Sequence, residues 1–164
     1  MAVYNKFLSS FGVHTAIQPH DATGAASNGA YFSLKLAEEV IFLLSQGAWA
    51  GGTPAVTLEQ ATTVAGTTSK ALGFTQAWTK GSVAGDLWVP VTVVNNTFNL
   101  LAVPNTLVAI EVSAQMLDRN NGYTCVRLVV GTPGVNADLL SAVAIFRNER
   151  YENDPSLVRS HLLD

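Results

Sequence analysis

Three histidines, one cysteine and three tryptophans are the residues of this chain best suited to chemistry or recognition. Nucleophilic catalysis needs a serine or cysteine beside a base that a third group holds in place. His14, His20 and His161 stand in no motif of that kind. Cys125 lies between Thr124 and Val126 in a stretch of strand character, where alternation makes it a small buried apolar residue. His14, His20 and Asp21 sketch a metal site, but their spacing matches no zinc signature and a third ligand is wanting. Asp118-Arg-Asn-Asn-Gly122 resembles the opening of a calcium loop, yet it is one residue short before the glycine. Val129 stands where the bidentate glutamate belongs. The stretch reads better as a hairpin turn in which Asn121-Gly122 supplies positive φ.

Gly47-Ala-Trp-Ala-Gly-Gly-Thr-Pro54 lacks the lysine of a phosphate-binding loop, and its proline stops a following helix. Glu38 and Glu39 are adjacent, so on a strand they point to opposite faces and cannot share a substrate. Trp49, Trp78 and Trp88 could stack sugars in a carbohydrate-binding module, or fill a core or a subunit interface. These residue types therefore assign no catalytic residue, no metal ligand and no cofactor, and the chain is expected not to be an enzyme.

The elements that would carry such residues have a period of two. Val56, Leu58 and Gln60 alternate with Thr57, Glu59 and Ala61, and Val108, Ile110 and Val112 alternate with Ala109, Glu111 and Ser113. Strands are expected near residues 13–18, 30–35, 39–46, 55–62, 73–79, 88–94, 97–101, 107–113, 123–130 and 140–148. Turn residues punctuate them about every ten positions, the pattern of an all-β antiparallel sandwich, jelly-roll-like in strand number. Residues 32–44 fit a helix nearly as well as two strands. The continuous run Val40-Ile-Phe-Leu-Leu44 favours a strand, and one buried on both faces. Residues 113–118 could form a single helical turn.

Charge is scarce and unevenly placed. The chain has 164 residues, 48% of them apolar and only 13% charged, with a net charge of −3. That length fits one domain with a sizeable core, and that charge argues against an electrostatic nucleic-acid binder. Only Glu59, Lys70, Lys80 and Asp86 are charged between positions 40 and 110, whereas positions 147–164 carry seven charges. A lone domain normally wets its surface with Lys and Glu. A surface this poor in charge is expected to be covered partly by other chains. The uncharged stretches 40–58 and 87–110 contain Gly-Gly-Thr-Pro, or two prolines and Asn-Asn, so no membrane span is expected.

The ends differ from the middle. Tyr4, Phe7, Leu8 and Phe11 recur at spacings of three and four, which suits either a short amphipathic helix or a docked arm. Asp154-Pro155-Ser156 breaks the last strand, and Leu157, Val158, Leu162 and Leu163 follow it in a tail that either docks on a neighbour or folds back. The expected organisation is an extended N-terminal arm over 1–21, a sandwich over 22–153 and an extended C-terminal tail over 154–164. Residues expected to touch partners are Tyr4, Phe7 and Phe11 at the front and Tyr151, Leu157, Val158 and Leu162 at the back. No leader pattern opens the chain, so synthesis in the cytoplasm is expected.

Five stretches carry a family likeness: Val56-Thr-Leu-Glu-Gln-Ala-Thr62, Thr68-Ser-Lys-Ala-Leu-Gly-Phe74, Val108-Ala-Ile-Glu-Val112, Leu117-Asp-Arg-Asn-Asn-Gly-Tyr-Thr-Cys-Val-Arg127, and Pro133-Gly-Val-Asn-Ala137 with a strand ending in Arg150-Tyr151. Together they span about residues 30–151. They resemble small proteins encoded among the head genes of tailed bacteriophages. The resemblance implies a capsid decoration or cement protein with a β-sandwich or jelly-roll core. Its partners would be the major capsid protein and itself, as a homodimer or homotrimer, with no nucleic acid and no membrane. Its place would be the outside of the virion shell, after synthesis in the bacterial host. No catalytic residues come with the resemblance. Two other classes stay open: another head or tail component, such as a head-completion or tail-tube protein, and the carbohydrate-binding module.

Overall fold

The computed structural model describes residues 11–81 and 87–147. Alternation decides the elements. Along Glu39–Trp49 every second side chain is buried (Val40, Phe42, Leu44, Gln46) and the ones between are half exposed, which only a strand lying on a core permits. The same alternation builds Thr106–Ser113 and Asp138–Arg147. Twelve strands result: β1 (Gly12–Asp21), β2 (Ser27–Asn28), β3 (Phe32–Ser33), β4 (Glu39–Trp49), β5 (Ala55–Ala61), β6 (Lys70–Leu72), β7 (Gln76–Gly81), β8 (Val89–Thr92), β9 (Phe98–Asn99), β10 (Thr106–Ser113), β11 (Cys125–Val130) and β12 (Asp138–Arg147).

They form two antiparallel sheets. The first runs β1-β12-β4-β10-β7-β8; the second runs β2-β11-β5-β6, with β3 also on β11 and β9 also on β5. The chain passes from sheet to sheet at nearly every connection after β3, so the last strand lies beside the first. This is the double-sheet wrapping of a jelly roll, with β7 and β8 extending the first sheet. Between the sheets Phe32, Phe42 and Phe146 meet with ring centroids 5.6–6.4 Å apart, and Leu58, Ile110 and Leu128 fill the adjoining space. A buried polar pair lies within the first sheet: the Thr106 hydroxyl donates to Gln46 Oε1, and Gln46 Nε2 donates to the carbonyl of Leu101 at 3.1 Å.

Several expectations change. Gly12–Asp21 is not an arm: it pairs with β12 from Gly12↔Phe146 to Asp21↔Leu139. Ala16 and Ile17 bury against the core, which offsets the cost of ordering the segment. Over 32–44 the favoured strand reading holds, with β3 and β4 in different sheets. Asn121-Gly122 is not a hairpin turn. Residues 114–124 must cross from one sheet to the other, and two 3-10 turns, Ala114–Met116 and Arg119–Asn121, do this. Gly122 closes the second with φ 81°. Arg119 pins the crossing, donating to the carbonyls of Ala114 and Leu34. Among the described residues no helix is long and apolar enough to cross a membrane.

The sheet edges are short or interrupted. β2, β3, β6 and β9 have only two or three residues each. β1 carries Pro19 and two register shifts. β8 carries Pro90 opposite Trp78. A proline inside a ladder has no N–H to give, so the missing donor of Pro90 belongs on the open side. These devices blunt strand addition.

Candidate interaction surface

The residues of β4 that do not face the core are Glu39, Ile41, Leu43, Ser45 and Gly47. Register places neighbours beside each. Ile41 sits between Ile145 and Glu111; Leu43 sits between Val143 and Ala109; Ser45 sits between Ser141 and Leu107. The rows extend outward to Val13 beside Ile145 and Thr15 beside Val143 on one side. On the other side Ala109 leads to Trp78 and Pro90, and Leu107 leads to Lys80. One row of this outer face is therefore apolar from Val143 through Leu43 and Ala109 to Trp78 and Pro90, with Glu111, Ser45, Ser141 and Lys80 in the rows beside it. Trp78 is 37% exposed and Trp88 43%, at the β8 end of this face.

Charges stand among these rows. Arg147 and Glu39 pair at 3.2 Å, Glu111 stands directly beside Ile41 on the inner strand β10, and Lys80 stands beside Leu107. Interfaces also mix apolar and polar groups, and the aromatic Trp78 is of the type enriched in them. A hollow of about 300 Å³ opens where β1, β4 and β12 meet, lined by Pro19, His20, Ser45, Gly47, Leu139 and Ser141. Gly47 makes room for it: a Cβ there would lie 3.1 Å from Leu139 Cβ.

The outer face of the second sheet has the opposite character. Arg127 pairs with Glu59 at 2.7 Å and lies 4.6 Å from the Tyr31 ring, whose hydroxyl donates to the same carboxylate at 2.8 Å. Burial, then the bond to Glu59, raises the Tyr31 pKa. At the β6 edge, on the side of Gln60, Lys70 pairs with Asp118 at 2.5 Å and stacks over Tyr123. This face has its own partners for its charges and suits water.

The candidate chemical residues are used structurally. His14 packs beside Phe32 and Phe146, while His20 bonds Ser27 Oγ and the Gln18 carbonyl, both at 2.8 Å, so the two are not brought together. Asp118 takes Asn121 Nδ2 on both oxygens as well as Lys70, which occupies the carboxylate that opened the calcium-like stretch. The glycine-rich loop spends two N–H groups, Ala50 and Gly51, on Asp138 Oδ1 at 2.6 and 3.2 Å. Cys125 is buried. The tryptophans divide: Trp49 is in the core with its indole N–H on the Gly52 carbonyl at 3.1 Å, so no platform of three exists. Among the described residues no three His, Cys, Asp or Glu side chains gather as a metal site.

Of the residues expected to touch partners, only Phe11 is described, half-buried just before β1. Tyr4, Phe7, Tyr151, Leu157, Val158 and Leu162 lie outside the described residues. The apolar row itself was missed by residue-level reading. Its signal was present: Val40-Ile-Phe-Leu-Leu44 is apolar on both faces, and a two-layer domain can bury only one of them. The run is a strand, but Ile41 and Leu43 are only half-buried, so the expectation of burial on both faces fails.

Two carboxylates give the fold an acid limb. Asp21 is held below the usual carboxylate range by the Thr23 hydroxyl first, then by the backbone N–H groups of Asp138 and Thr23. Asp118 is held down by Lys70 first and Asn121 next. A lowered folded pKa adds stability that is full above the unfolded value of ~3.9 and is lost as pH falls through the folded value. Melting temperature should therefore be level from neutral pH to about pH 5 and then decline. The D21N/D118N double variant should show a flatter acid decline; an unchanged slope would assign the acid limb to other groups.

Neither a known protein family nor a curated protein matches the chain. Among solved structures, the SPBc2 prophage-derived protein YomS is similar at a TM-score of 0.45 and 12% identity, over 83% of this chain and 91% of that one.

Proposed function

We propose that the protein is a structural virion component of the cement or decoration kind, bound outside the major capsid shell and bridging its capsomers. The observation that carries this reading is the register Gly12↔Phe146. It starts β1 and ends β12 side by side, so both ends of the described sandwich lie at one corner. Tyr4 and Phe7 precede that corner in the sequence and Tyr151, Leu157, Val158 and Leu162 follow it, and these are the residues proposed to touch the shell. Two tethered contacts gain from effective concentration, so each can be weak while attachment is firm. The motif resemblance over residues 30–151 supports the same reading, as does a surface poor in charge.

The test is co-sedimentation of the purified chain with heads that lack it. Full-length protein should saturate at a high copy number per head. Removing residues 1–10 leaves β1 whole and should lower occupancy by about tenfold or more, the gain that tethering supplies. Unchanged occupancy removes the front segment from the contact, and no binding by the full chain overturns the reading.

A further inference from the structure

We infer that Asp138, Asp21 and Asn136, at the end of the sandwich where β1 stops and β12 starts, form a binding site for a calcium ion. The inference goes beyond the capsid reading and does not depend on it. Three observations carry it.

The first is an orphaned oxygen. Asp138 has no exposed surface. Its Oδ1 takes the N–H groups of Ala50 and Gly51 at 2.6 and 3.2 Å, while its Oδ2 is buried with no hydrogen-bond partner among the described residues. A buried carboxylate oxygen left bare is costly, and a bound cation removes that cost.

The second is the donor set beside it. Asp21 Oδ1 accepts from the N–H of Asp138 at 3.0 Å and from the N–H and hydroxyl of Thr23, so its bonds all fall on one oxygen and Oδ2 is left over. The Asn136 amide lies against Gly51, its Nδ2 3.0 Å and its Oδ1 3.9 Å from the place a Cβ would take there. Asp138 thus touches both: its N–H is held by Asp21, and its carboxylate holds the loop on which Asn136 rests. Exposed Asp21 and half-buried Asn136 have room to turn toward the fixed Asp138 oxygen. Two carboxylates and an amide oxygen make a hard, all-oxygen set, which suits calcium and not zinc. Calcium also tolerates irregular geometry and completes its shell with water, whereas magnesium demands a closer octahedron.

The third is charge. Glu39, Glu59 and Asp118 each pair with a Lys or Arg, but among the described residues Asp21 and Asp138 do not. His20, next to Asp21 in sequence, is already tied to Ser27 and the Gln18 carbonyl. A water would bridge the orphaned oxygen yet leave two like charges as neighbours; a divalent cation answers both. The hollow of about 300 Å³ reaches Asp21, which gives an ion a way in from solvent.

The full chain, stripped with a chelator and dialysed, should melt about 3–10 °C higher in ~10 mM calcium chloride than in sodium chloride of equal ionic strength, the gain for a site of Kd near 0.1–1 mM. Magnesium chloride should give a smaller shift. D138N, whose amide oxygen still accepts from Ala50 and Gly51, should lose the shift with its circular dichroism retained. N136A should weaken calcium by about tenfold or more. D118N, in the other acidic cluster, should keep the shift. Terbium should luminesce through Trp49, the register partner of Asp138, and calcium should displace it. Equal melting in calcium and sodium, or a calcium shift that N136A leaves intact, overturns the inference, whether or not D138N folds. Head binding is a separate measurement, so either proposal can fail while the other stands.

Discussion

Phe146→Ala is expected to cost about 3–5 kcal/mol of folding stability, the range for removing a fully buried phenylalanine. Phe146 has no exposed surface. Its ring meets Phe32 edge-on at 5.6 Å and His14 at 5.6 Å, so it joins the two sheets and holds β1 at the same place. Truncation removes the transfer energy of the ring and leaves a cavity that two sheets pinned by their ladders cannot close. For a chain of this size each kcal/mol moves the melting temperature by about 2–4 °C, so a fall of roughly 10 °C is expected. Thermal unfolding by circular dichroism checks it. A change under about 1 kcal/mol would mean that the core relaxes around the site.

Gly52→Ala should be as damaging, though it adds one methyl group. Gly52 has φ 87°, and a Cβ built there would lie 2.2 Å from the carbonyl oxygen of Pro133. Backbone strain and overpacking together predict a loss of about 3–5 kcal/mol. Relief would require the 133–137 turn to move. That turn leads into Asp138, whose carboxylate holds the N–H groups of Ala50 and Gly51, so the displacement would also loosen the glycine loop. Gly24→Ala is the control. Gly24 also has positive φ, 71°, but nothing lies within 4 Å of its Cβ position, so only strain of about 1 kcal/mol is expected. Urea midpoints of the two variants separate strain from collision.

Most of the sandwich could be read from alternation, because burial on one side imposes a period of two wherever a strand is long. β4, β5, β10, β11 and β12 all carry that mark. β2, β3, β6 and β9 do not, since two or three residues cannot display a period and exist as strands only through their neighbours on β11 and β5. Asn121-Gly122 has the composition of a hairpin turn, but topology overrides it: the strands on either side belong to different sheets. The segment 12–21 lacks clean alternation because its register shifts twice, at Thr15/Ile17 and Ile17/His20.

The apolar row on the first sheet was legible only as a deficit. Scarcity of charge between positions 40 and 110 signalled surface without charges but not where it lies. Strand order was the missing knowledge: Ile41, Leu43, Ala109, Trp78, Val143 and Ile145 are far apart in sequence and share a face only after β12, β4, β10 and β7 are laid side by side. Sequence reading placed contacts at the chain ends, because aromatic and aliphatic residues beyond the last turn signals stand out without any topology; apart from Phe11 those residues lie outside the described ones.

The proline-blunted and abbreviated borders of both sheets have a consequence for crowding. A polypeptide whose sheets resist lengthening strand by strand offers its copies a poor template for stacking. Fibril growth should thus be slow even at high concentration, a property that lets many copies be made in one cell without gelling.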